Sequence, residues 1–209
     1  MKKKLLWCIP ILCFIIGSCT KEPLNNMTEE ESRIYITNYD TTANFANYKT
    51  FKIADSVAVV SNGRLKNRER TSYDVQLVSA VTNALTQRGF TQVSSNQTAD
   101  LGVTVSVINN TSTGVISYTD YGGYYNSYWD PYYFGYPGYG YYFPTYYGTY
   151  QVSENALTID MFDLKNGQQN NQIRDVWSGI IRGEGIYRPE NINSQIGALF
   201  NQSSYLKTR

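Results

Sequence analysis

TSYDVQLVSAVTNALTQRG, residues Thr71 to Gly89, and ADLGVTVSV, residues Ala99 to Val107, decide the fold class. In the first segment Val75, Val78, Val81 and Leu85, with Leu77 and Ala84 beside them, recur at helical spacing and make one apolar stripe. Thr71 with Asp74 three residues on forms a capping-box pattern. Gly89 sits where a left-handed C-cap ends a helix. The second segment changes period: Leu101, Val103, Val105 and Val107 alternate with Gly102, Thr104 and Ser106, as in a half-buried strand. Phe90 to Ser94, between them, has room for a short strand.

Toward the C-terminus the same two periods return. Leu157, Ile159 and Met161 alternate with Thr158, Asp160 and Phe162. Asn166-Gly167 signals a turn, lengthened by the polar run to Gln172, and Asp175 to Gly185 reads as the returning strand of a hairpin around Trp177. Pro189 suits a helix start, and Ile192, Ile196, Leu199 and Phe200 form a second stripe. Tyr205 to Arg209 is expected to fray. Toward the N-terminus, Arg33 to Asp40 alternates around Ile34 and Ile36, and Tyr48 to Ile53 is a second extended piece. Asp55 to Arg70, carrying Arg64, Lys66, Arg68 and Arg70, reads as a solvated loop before the helix. These elements predict one α+β domain over residues 33–205: an antiparallel or mixed sheet with two helices on one face.

One segment breaks the pattern. Tyr118 to Tyr150 holds 14 of the 20 tyrosines, with Trp129, six glycines and three prolines, and its only formal charges are Asp120 and Asp130. Pro131, Pro137 and Pro144 disfavour a helix or a central strand. A low-complexity insertion that covers the sheet is one reading. Tyrosine also offers a rigid ring and a hydroxyl at small entropic cost, which suits binding to a protein or stacking on sugars. Tyr124, Tyr125, Tyr128, Trp129, Tyr132, Tyr133, Tyr136, Tyr141 and Tyr142 are the candidate contacts, and the residues leave protein and glycan open.

The start of the chain bears on location. Lys2, Lys3 and Lys4 precede an apolar run from Leu5 to Ile16, too short to span a bilayer comfortably. Ile16-Gly17-Ser18-Cys19 resembles a bacterial lipobox, so residues 1–18 are expected to be a signal peptide. Cys19 would then be the lipidated first residue, inserted in the outer membrane, with the periplasmic or surface side left open. Residues 19–32 would be a flexible tether.

Losing the three lysines takes 18 basic residues to 15 against 17 acidic ones, a formal charge of −2. Such a balance gives no basic field for nucleic acid. The chain has no histidine, and its three cysteines are Cys8, Cys13 and Cys19. No Ser-His, Cys-His or structural zinc site can be assembled from the mature chain, and no cofactor is expected. Asp160, Asp163 and Glu184 are what a carboxylate-dependent hydrolase would use, but the alternation places them as solvated polar-face residues. Asp40-Thr41-Thr42 and Asp55-Ser56-Val57 resemble a three-residue O-glycosylation acceptor of bacterial envelope proteins, with Thr41 and Ser56 as its sites.

Tyr39-Asp40, Asn44-Phe45 and Tyr48-Lys49-Thr50-Phe51 resemble the opening signature of a family of bacterial envelope lipoproteins known as domain of unknown function 4136. The helix with Gly89-Phe90, the step Ala99-Asp100-Leu101, and the hairpin LTIDMFDLKNGQ with VWSGIIRGEG resemble it too. The family commonly has Asp where this chain has Asn44, so no charge-dependent role carries to that position. The resemblance implies a lipid-anchored envelope protein and no known activity. A non-catalytic protein-binding or structural module is therefore expected, with a glycan-binding lipoprotein as the alternative.

Overall fold

The computed structural model describes residues 27–61, 64–109, 115–117, 134, 140–142, 149–151, 155–170 and 172–208. Its strands are β1 (Ile34–Tyr39), β2 (Thr50–Ile53), β3 (Val57–Ser61), β4 (Arg64–Glu69), β5 (Thr91–Gln92), β6 (Leu101–Asn109), β7 (Val115–Ser117), β8 (Gly140–Tyr142), β9 (Thr149–Gln151), β10 (Ala156–Asp163) and β11 (Gln172–Arg182). The helices are α1 (Glu29–Ser32), α2 (Ser72–Gln87), α3 (Gly167–Asn170) and α4 (Ile192–Asn201). Among the described residues no helix is long and apolar enough to cross a membrane.

Among the described residues nine strands join one mixed sheet and β7 pairs with β9 separately. The hairpin β10–β11 is central, with β1 antiparallel to β11 on one side and β6 antiparallel to β10 on the other. The far edge of β6 is shared end to end by β2 and β3, both parallel to it. Ile53 pairs with Val103 but Ala58 with Ser106, five residues advancing against three, so Asp55 and Ser56 bulge from the ladder. The fold class expected from the two periodicities is the one observed.

Both long helices pack on one face. Leu77, Val81 and Leu85 of α2 and Ile196, Leu199 and Phe200 of α4 meet Val103, Val105, Ile159, Met161 and Trp177 in one core. Trp177 stacks on Phe200 with centroids 5.1 Å apart and donates from Nε1 to Ser203 Oγ at 2.9 Å. The Thr71–Asp74 capping box is formed, and Gly89 has φ +91°. The α2 stripe is rotated from its expected position: Val75 is 48% exposed, while Asp74 and Ala80 are buried. Leu77, Val81, Ala84 and Leu85 set the buried face because they alone repeat through all the turns that touch the sheet.

Three expectations are corrected. The basic stretch Arg64–Glu69 is not a loop but β4, pairing antiparallel with β3. Its charges lie on an outer strand, where they discourage edge-to-edge pairing. The tail does not fray: Leu206 is fully buried and Thr208 N donates to Arg88 O at 3.0 Å. Part of the expected tether is folded, since Thr28 and Glu31 form a capping box over α1 and Glu29 pairs with Arg188 at 2.7 Å.

The second face of the sheet is also buried, so β6 is not half-buried. Thr104, Ser106, Thr158, Asp160 and Ser178 are all at most 2% exposed. Small hydroxyl residues alternate like solvent-facing positions yet fit beneath a cover, which hid this burial from the sequence pattern.

Candidate functional site

The signature stretch Asp40 to Lys49 forms one wall of a polar cleft of about 570 Å³ at one end of the sheet. β1 ends at Tyr39, and Asp40 then turns the chain: its Oδ1 accepts from Thr42 N at 2.9 Å and Thr42 Oγ1 at 2.7 Å. Its other oxygen meets Arg174 Nη2 of β11 at 2.6 Å. Asn44 caps the 3-10 turn Phe45–Asn47 by accepting from Ala46 N, a role an amide fills as well as a carboxylate. Phe45 is buried, and Tyr48 returns into the cleft floor.

There the Tyr48 hydroxyl donates to Asp163 Oδ2 at 2.9 Å. Burial, and then the Asp163 charge, push the Tyr48 phenol far above its ordinary range, so it is a fixed donor. Asp163 also accepts from Asn166 N at 2.9 Å and Asn166 Nδ2 at 2.6 Å. Asp100 braces the wall from behind, accepting from Lys49 N at 2.6 Å and Thr50 N at 3.1 Å. Lys165 Nζ donates to Asn47 O at 2.7 Å and lies 3.8 Å from Asp100 Oδ1. At the floor Asp40 is thus paired with a cation and Asp163 is held by neutral donors, whereas Lys49, Asn44, Asn47 and Gln169 are exposed along the rim.

Phe134 of the aromatic segment meets the opposite face. Phe134 is 2% exposed, and a Cβ on Gly102 would lie 3.1 Å from its ring, with Leu164 alongside. Lys52, 8% exposed, donates from Nζ to Phe134 O at 3.4 Å, and burial lowers its pKa. Gly140–Tyr142 pairs parallel with Gln172–Arg174, continuing the edge of β11 beyond β1. Tyr141 and Tyr142 are thereby placed on a strand. Tyr124, Tyr125, Tyr128, Trp129, Tyr132, Tyr133 and Tyr136 lie outside the described residues, as does Cys19.

The three hydrolase carboxylates are not brought together. Asp163 shares the helix-side face of β10 with Ile159 and Met161, whereas Asp160 lies on the other face. Glu184 follows the opposite end of the hairpin, about 25 Å from Asp163 at ~3.3 Å per residue. Only Glu184 is solvated as expected; Asp160 is fully buried and Asp163 is 5% exposed. Asp160 faces the buried second side of the sheet, and Asp163 lies beneath Tyr48, whose hydroxyl donates to it.

Asp160 has a neighbour that the sequence reading missed. Asp175, 1% exposed, lies on the same face one strand away, opposite Phe162. Burial and then the Asp160 charge push the Asp175 carboxyl well above its usual range, against a smaller opposing effect of the Trp177 N–H. Among the described residues neither of its oxygens has a partner within ordinary hydrogen-bond limits. A bulge at Val176 turns Asp175 inward, and a bulge is invisible to strict alternation. Of the acceptor-like triplets, Thr41 is exposed on the turn beside the cleft and Ser56 is half-buried in the β2–β3 bulge.

Tyr48 belongs to the core and also reaches the cleft floor with its hydroxyl, and its pairing with Asp163, like that of Asp40 with Arg174, joins residues too far apart for spacing to reveal. The signal for the cleft was the signature itself, whose polar members Asp40, Tyr48 and Lys49 line it.

A family model described as a domain of unknown function, DUF4136, matches residues 36–203. A crystal structure of a DUF4136 family protein from Bacteroides thetaiotaomicron is similar at 29% identity and TM-score 0.69, covering 85% of this chain and 99% of that one. A PDZ domain protein from Parabacteroides distasonis, at 14% identity and TM-score 0.46, aligns with 84% of this chain and 37% of its own. A PelC dodecamer from Paraburkholderia phytofirmans gives 14% identity and TM-score 0.40, with 85% and 98% covered, and neither of these looser likenesses carries an argument. Among curated proteins none matches. The family match spans the sheet, both long helices and the cleft wall, and the chain belongs to the DUF4136 family.

Proposed function

We propose that this chain is a lipid-anchored cell-envelope protein that works by binding, without catalysis, and that its Tyr-rich segment engages a protein partner. The lipobox at Cys19 supplies the anchor, held at the outer membrane by several acyl chains, since one chain binds only marginally. The observation that carries the binding role is the segment's attachment. Phe134 is buried against Gly102 and Leu164, and Gly140–Tyr142 is hydrogen-bonded to β11. A segment fixed to the sheet at Phe134 and at 140–142 costs less to order on binding than a free tail. The scatter of Asp160, Asp163 and Glu184 supports a non-catalytic reading.

Photo-crosslinking in living cells tests it. Replacing Tyr124, Tyr125, Tyr128 and Trp129 by serine keeps both attachments. The expected result is loss of a protein captured by the parent chain, and identical captures would overturn the reading. Palmitate labelling lost in Cys19→Ala checks the anchor, and labelling that persists would refute it.

A further inference from the structure

The polar cleft lies at one end of the sheet, and its charges are sorted by depth. Asp40 and Asp163 are 6% and 5% exposed at the floor, and both are engaged by Arg174, Thr42, Tyr48 and Asn166. Asp40 is paired with Arg174 and Asp163 is held by neutral donors, so the charged groups that reach the rim are the ammoniums of Lys49 and Lys165. Lys49 is exposed, and among the described residues its ammonium makes no ion pair or hydrogen bond. Lys165 is 46% exposed along its side chain. An ammonium has three donors, and Lys165 directs one to Asn47 O, with Asp100 beside it. The two cations share one lip, because Asp100 contacts both Lys165 Nζ and the Lys49 backbone.

The remaining rim consists of amides: Asn44, Asn47, Asn166 and Gln169. Each offers a donor and an acceptor, the combination that matches neighbouring hydroxyls. Ala43, Ala46 and Val176 are the apolar lining, too little for an apolar side chain or a fatty ligand. The cleft volume, about 570 Å³, lies within the range of small-ligand pockets.

We infer that this cleft binds an acidic saccharide, its anionic group against Lys49 and Lys165 and its hydroxyls against the rim amides. The anion can be a uronate carboxylate or a sugar phosphate, which share this chemistry. The site goes beyond the partner-binding role of the aromatic segment and does not depend on it.

Calorimetric titration of the full mature chain with digalacturonate, glucose 1-phosphate, inorganic phosphate and maltotriose tests the inference. Binding of digalacturonate or glucose 1-phosphate is expected, at least tenfold tighter than maltotriose, and it identifies the anion. Lys49→Glu should weaken it at least tenfold with an unchanged melting temperature, because the side chain is exposed and its ammonium makes no ion pair or hydrogen bond among the described residues. Lys66→Glu, an exposed cation on β4, should change it less than twofold. No binding by either acidic sugar, equal binding of maltotriose, inorganic phosphate binding as tightly as the sugar phosphate, or indifference to Lys49→Glu would each overturn the site. The serine variant of Tyr124, Tyr125, Tyr128 and Trp129 should bind the sugar like the parent, so failure of the partner role and failure of the cleft are separable.

Discussion

Phe134→Ala is the sharpest perturbation of the aromatic segment, because Phe134 is buried against Gly102 and Leu164 on the sheet's second face. A buried aromatic removes ~150–250 Å² from water, worth about 4–6 kcal/mol at ~25 cal/mol per Å². Compactness of the unfolded chain trims such figures by roughly 10–40%. The expected loss is therefore ~3 kcal/mol, at the lower end of the ~3–5 kcal/mol typical of buried Phe→Ala changes. In a domain of this size each kcal/mol lowers the melting temperature by about 2–4 °C, so a fall of roughly 6–12 °C is expected. Urea denaturation followed by circular dichroism measures it, with an unchanged m-value if the same surface is exposed. Phe134→Leu should recover most of the loss, since volume-conserving swaps cost less than ~1.5 kcal/mol. A loss below about 0.5 kcal/mol for Phe134→Ala, the level of an ordinary surface change, would refute the anchoring of this segment to the sheet.

Three further outcomes are expected. A Cβ at Gly179 would lie 2.7 Å from both Leu199 Cδ2 and Trp177 Cη2, so Gly179→Ala should cost ~1–3 kcal/mol by overpacking; a neutral change in chemical denaturation would contradict the Trp177 packing. Tyr48→Phe removes a donor from the buried Asp163 while Asn166 remains, for a loss of about 1–2 kcal/mol, and stability within experimental error of the parent would remove Tyr48 from the cleft floor. Asp175 has a raised folded-state pKa, so its contribution is full below the ordinary carboxylate range near pH ~4 and is lost as pH rises through the folded value. Asp175→Asn should therefore gain on the parent as unfolding is measured from pH 4 to pH 8, and a stability difference that stays flat would contradict the buried charge.

The sequence alone determined those features whose physics is local. Helix α2 was legible because its stripe, the Thr71–Asp74 cap and Gly89 agree within one stretch of chain. The hairpin β10–β11 followed from alternation around Ile159 and Trp177, and the absence of histidine excluded whole classes of chemistry. Tertiary structure decided what depends on residues distant in sequence. Arg174 finds Asp40 across 134 positions, and Tyr48 finds Asp163 across 115, which no spacing rule reaches. It also decided burial of the second face, because Thr104, Ser106 and Thr158 carry no mark in the sequence of whether water reaches them. Periodicity reports which side chains share a face of a strand, whereas only packing decides whether water reaches that face.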